Sequence, residues 1–97
     1  MNADSQFMLS RDALTKLHDE ARRMGLPVGA AFRRKAYAAA RARKPEFRLS
    51  GGNLERIFTA GVHPNVYTGL VDLTKRLGVP VACIGELVCT HISEDAE

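Results

Sequence analysis

The sequence predicts an all-α fold, a compact five-helix bundle closing on a short apolar C-terminal helix. Three observations predict it. Apolar residues recur at helical spacing along most of the chain. Gly25 with Pro27, and Gly78 with Pro80, punctuate that pattern as helix ends do. Of 97 residues, 45% are hydrophobic and 6% aromatic, with no Trp, which suits a core of Leu, Val, Ile and Ala. A chain of this length makes one domain with a modest core.

The elements follow in order. Residues 1–9 show no periodicity and are expected to form a flexible tail, with Phe7 and Leu9 stapled onto the first helix. Ser10 is an N-cap, Asp12 suits the first turn, and Leu14, Leu17, Ala21 and Met24 mark the buried stripe up to Gly25. A second helix is expected from Val28 to Arg43. Its stripe of Val28, Ala31, Phe32, Ala36, Ala39 and Ala40 permits close approach to a neighbour, and Lys44-Pro45 breaks it. Ser50 caps a third helix that Gly61 closes. The two glycines at its start, Gly51 and Gly52, cost about 1 kcal/mol each against Ala. Either close approach to a phosphate-bearing partner or a tight chain entry would select them. Asn65 is the expected N-cap of a fourth helix, Val66 to Leu77, which buries Val66, Leu70, Leu73 and Leu77. Pro80 opens the last one, Val81 to Val88, apolar nearly all round. The acidic residues 91–97 read as a second flexible tail, leaving 10–90 as the folded domain. Neither an internal repeat nor a strand is expected.

Charge is unevenly spread. The net charge is +3, but Arg33, Arg34, Lys35, Arg41, Arg43, Lys44 and Arg48 face one acid, Glu46, between positions 33 and 48. Such a block suits either a polyanionic partner or a solvated helix face. No run approaches the roughly 18 apolar residues of a spanning helix, and the N-terminus lacks the features of a signal peptide, so a cytoplasmic protein is expected, with no membrane partner. Cys83 and Cys89, six apart, point to different helix faces and are expected to be free, buried thiols. With His91 they make an incomplete zinc set, so no metal and no cofactor is expected. No nucleophile–base spacing, phosphate loop or convergent carboxylate pair suggests an enzyme.

The stretch FRLSGGNLERIFTAGVHPNVYTGLVDLTKRLGVPV resembles the Cro and lambda-repressor-like (XRE) family of helix-turn-helix transcriptional regulators. The likeness rests on Leu49-Ser50, on Leu54 with Ile57 or Phe58, on Gly61, and on Leu70, Val71, Leu73, Leu77, Gly78 and Val79. It covers about a third of the chain. Where that family often has a glutamine at the start of its scaffold helix this chain has no counterpart, and Thr59 replaces a usual glutamate.

The resemblance implies a lambda-repressor-like bundle whose third helix enters the major groove of double-stranded DNA. It makes Asn53 and Arg56 base readers, with Ser50, Gly51 and Gly52 close to backbone or bases. Arg41, Arg43, Lys44 and Arg48 would contact phosphates, and His63 and Asn65 would lie near the opposite strand. A homodimer, joined through Val81, Ile84, Leu87 and Val88, would then repress transcription from a palindromic operator. Two other roles fit the same residues. One is a DNA-binding antitoxin that also holds a toxin protein. The other is a protein-interaction module whose basic helix docks on an acidic partner.

Overall fold

The computed structural model describes residues 3–42, 46–47 and 53–92. Its order is β1 (Ala3–Leu9), α1 (Arg11–Met24), α2 (Val28–Arg41), β2 (Glu46–Phe47), β3 (Arg56–Val62), α3 (Pro64–Leu77), a 3-10 turn (Val81–Cys83), α4 (Ile84–Thr90) and β4 (His91–Ile92). The fold is therefore not an all-α five-helix bundle. Among the described residues, four helices pack with two antiparallel two-stranded ladders, β1 with β3 and β2 with β4. Residues 3–9, expected as a frayed tail, are a strand, and so is the second half of the expected third helix, from Arg56 onward.

Local chemistry explains the second change. Residues 56–62, RIFTAGV, combine β-branched and aromatic side chains that favour a pleated surface. As a helix, Ile57 and Phe58 would both help to cover a core. As a strand they point to opposite faces, Phe58 half-buried and Ile57 63% exposed. β1 obeys the same alternation: Phe7 and Leu9 are buried while Asp4 and Gln6 are exposed. Both strands carry apolar residues on both faces, and this blurs the period-two signal in the sequence.

The architecture is a strand–helix–helix unit used twice. β1 and β3 start 53 residues apart (Ala3 and Arg56), as do α1 and α3 (Arg11 and Pro64) and the helix-ending Gly25 and Gly78. The repeat expected to be absent is visible once this offset is applied. Thr15, Leu17, Asp19, Arg23, Gly25, Pro27 and Val28 recur as Thr68, Leu70, Asp72, Arg76, Gly78, Pro80 and Val81. Each first helix ends with the same closure. Leu26 N–H donates to Ala21 O and Val79 N–H to Thr74 O, each at 3.0 Å, past glycines at φ +70° and +72°. That left-handed backbone is why both positions are glycine.

The β1–β3 ladder has seven pairs, from Ala3↔Val62 to Leu9↔Arg56, and its central pair is Gln6↔Thr59. Those two residues are also 53 apart, so a local two-fold axis runs through the middle of the ribbon. The repeats interlock about it: α4 of the second packs on β1 of the first, and α2 of the first on β3 of the second. The core lies under the ribbon. Phe7 and Phe32 are 4.7 Å apart between ring centroids and Phe32 and Phe58 5.1 Å. Leu9, Leu17, Leu70, Leu73, Leu87 and Val88 fill the space around them, and Ala31, Ala36 and Ala39 let α2 sit between its neighbours. β2 and β4 clip residues 46–47, between the repeats, onto the end of α4, with Phe47 and His91 rings 5.5 Å apart.

Candidate nucleic-acid interface

The described residues of the expected recognition helix are not helical. Ser50, Gly51, Gly52, Arg43, Lys44 and Arg48 lie outside the described residues. Asn53 is exposed ahead of β3, and Arg56 is exposed as the first residue of β3, across the ladder from Leu9. His63 and Asn65 stand beyond the other end of that strand. His63, not Asn65, is the N-cap of α3: Asn65 N–H donates to His63 Nδ1 at 3.0 Å. Seven extended residues span roughly 20 Å, so Arg56 and His63 cannot share one helical reading face. Arg41 ends α2 with its guanidinium 4.9 Å from the centroid of the Tyr37 ring.

Of the residues expected at a dimer contact, Ile84, Leu87 and Val88 belong to the chain's own core, and Val81 is exposed. Lys35, counted in the basic block, turns inward and pairs with Glu20 at 2.7 Å. Cys83 is half-buried and Cys89 buried. Burial pushes the Cys89 thiol up to about 12, although Lys35 nearby acts in the opposite direction. At neutral pH it is a packed, protonated thiol.

What the fold does assemble is the outer face of the β1–β3 ribbon. The inner parity of the ladder carries Phe7, Leu9, Phe58, Ala60 and Val62. The outer parity carries the pairs Asp4↔Gly61, Gln6↔Thr59 and Met8↔Ile57. Asp4, Gln6, Ile57 and Thr59 are exposed, and Met8 and Gly61 partly so. Because the inner face is anchored in the aromatic cluster, the register and the set of outward side chains are fixed together.

Basic groups suited to a polyanion lie to one side of the ribbon. An open groove of about 340 Å³ beside the Val62 end of β3 is lined by Arg33, Arg34, Tyr37, His63 and Val66. Both arginines are exposed. α2 also has no acid in its first turn, so its positive end is not neutralised from within. On the other flank, Val81, Ala82 and Gly85 meet Gln6 and Met8 around a smaller depression of about 110 Å³. Among the described residues no three of His, Cys, Asp or Glu are grouped to hold a metal ion, and no helix is long and apolar enough to cross a membrane.

No protein-family model matches the sequence, and no curated protein or solved structure matches it significantly.

Asp4, Gln6, Met8, Ile57 and Thr59 were invisible to helical-period reasoning. A signal for them existed in the recurrence of Thr-x-Leu-x-Asp-x-x-x-Arg-x-Gly-x-Pro-Val. Aligning the two copies places residues 3–9 over 56–62 and marks both as the same kind of element.

Proposed function

We propose that the protein binds double-stranded DNA through the outer face of its β1–β3 ribbon and regulates transcription by occupying a promoter, most simply as a repressor. One observation carries this: a seven-pair antiparallel ribbon with a firmly packed inner face and an exposed outer one. The major groove is about 12 Å wide and admits either an α-helix or a two-stranded β-ribbon. Strands roughly 4.8 Å apart, with side chains on one face, match that width, and about 20 Å of strand covers on the order of six base pairs.

The division of labour follows from the side chains. Gln6 can pair with the N6 and N7 of adenine, and Thr59 can bond either donors or acceptors. Arg33 and Arg34 supply the sequence-independent attraction to phosphate that positions such a protein. Two free cysteines accord with a reducing compartment, and the cytoplasm is the setting of this proposal. No catalytic step belongs to it.

Fluorescence anisotropy with a short random-sequence duplex tests the proposal. Binding is expected to weaken with salt, and replacing Arg33 and Arg34 together by Ala should flatten the log–log slope by about 2. Thr59→Glu places a negative charge at the centre of the ribbon and should abolish binding without touching the core. Absence of binding at low salt, or wild-type binding by Thr59→Glu, would refute it.

A further inference from the structure

We infer that one copy of this chain reads a non-palindromic duplex, with an apolar end of the ribbon set over thymine and an acidic end set over cytosine. This rests on the ribbon being the DNA-binding face. A reader built from two identical subunits presents identical halves, and its operator mirrors that two-fold symmetry. Here the two-fold is geometric only. The residues it relates are Asp4 with Ile57, Gln6 with Thr59, and Met8 with Gly61. None of these pairs is chemically alike. One end of the ribbon thus carries Met8 beside Ile57, and the other Asp4 beside Gly61.

Each end has its own complement in the major groove. Apolar side chains contact the thymine methyl, whereas an aspartate accepts from the N4 amino group of cytosine. Gly61 adds no side chain next to Asp4, which lets the backbone approach at that end. Near the axis, Gln6 favours adenine and Thr59 tolerates several bases. The target is therefore a duplex of about six base pairs, thymine-rich at one end and cytosine-bearing at the other.

The halves cannot be exchanged to restore symmetry. α4 comes so close to β1 that a methyl on Gly85 would lie 2.7 Å from Leu9 Cδ2, 2.9 Å from Phe7 Cβ and 3.1 Å from Met8 O. The residue equivalent to Gly85 in the first repeat is Phe32, and the residue equivalent to Phe7 in the second is Ala60. Two first repeats paired with each other would have to place Phe32 where only a glycine fits. Two second repeats would leave Ala60 facing Gly85 across a void. The large and small residues are complementary only between unlike halves, so the two different ribbon ends are always presented together.

Selection of bound sequences from a random duplex library by the full chain, with the mass of the complex measured alongside, tests this. The expected result is a consensus that differs from its own reverse complement, occupied by one chain. Asp4→Ala should relax preference at one end only and Ile57→Ala at the opposite end only, each by roughly 5- to 100-fold. Both side chains are exposed, so the variants keep the fold. A palindromic consensus holding two chains would overturn the inference while leaving DNA binding intact. So would salt-sensitive binding with no sequence enrichment, or both variants relaxing the same end. Failure to bind any duplex at low salt would instead remove the reading on which it rests.

Discussion

The two strand–helix–helix repeats share a backbone plan and differ at most of the buried positions that hold them together. In the first repeat the contact between the two helices includes an ion pair, Glu20 with Lys35 at 2.7 Å. The equivalent positions in the second are Leu73 and Val88, both buried. The N-cap of α1 is Ser10, held in the interior by Glu86, with Ser10 N–H donating to Oε1 at 2.9 Å and its hydroxyl to Oε2 at 2.7 Å. The equivalent cap of α3 is His63, exposed. Phe7 and Phe32 stand in one half where Ala60 and Gly85 stand in the other. A common fold has thus been kept by matching each half to its unlike partner. Interlocking is what makes this possible, because most of the core of each repeat is supplied by the other.

Breaking the match at its largest residue should have the largest effect. Phe32→Ala leaves a void between Phe7 and Phe58 and should destabilise the protein by about 3–5 kcal/mol in chemical denaturation. An effect below about 1 kcal/mol would mean that the two repeats do not share a core at this point.

The ion pair gives a sharper test, since the second repeat already shows its apolar substitute. Lys35→Ala takes from Glu20 the closer of its two partners in a mostly buried site, leaving only Arg23 Nη2 at 3.6 Å. Cutting one member of a buried pair costs about 3–5 kcal/mol, and the lower figure applies here because Glu20 keeps some contact with water. Writing the second repeat's residues into the first, as Glu20→Leu with Lys35→Val, should be neutral or stabilising. A double variant as unstable as Lys35→Ala would show that the equivalent positions are not structurally interchangeable.

The caps should separate by less. Ser10→Ala removes the acceptor for Ala13 N–H at 3.1 Å and the hydroxyl donor to buried Glu86, a loss of about 1–2 kcal/mol. His63→Ala should cost much less, because its bond to Asn65 N–H is exposed and water can replace it. Thermal unfolding of the two variants side by side checks the order.

Much of the helical framework is legible in the amino-acid order. Ser10 as a cap, the Leu17 and Leu70 stripes, and the Gly25 and Gly78 stops all act locally, and local rules find them. The ribbon is different in kind. β1 and β3 are each seven residues long and are stabilised by one another across about fifty positions, which no window on one segment reports. Residues 53–62 carry apolar groups at spacings that fit a helix as well as a strand, and the partner strand decides between them. The candidate site was missed for the same reason. Helical spacing singles out Arg56, whereas the residues on the outer face are defined only by the pairing of β3 with β1. The inward turn of Lys35 likewise depends on Glu20, from another helix.

On the proposed reading, DNA meets this protein on the outer parity of the ribbon. Backbone amide NMR of the full chain, titrated with a random-sequence duplex at low salt, tests it most directly. The largest shifts are expected on Asp4, Gln6, Met8, Ile57, Thr59 and Gly61, with smaller ones at Arg33 and Arg34. Shifts concentrated on Asn53 and α3, or on the far side of α1, with the ribbon amides unmoved, would contradict it.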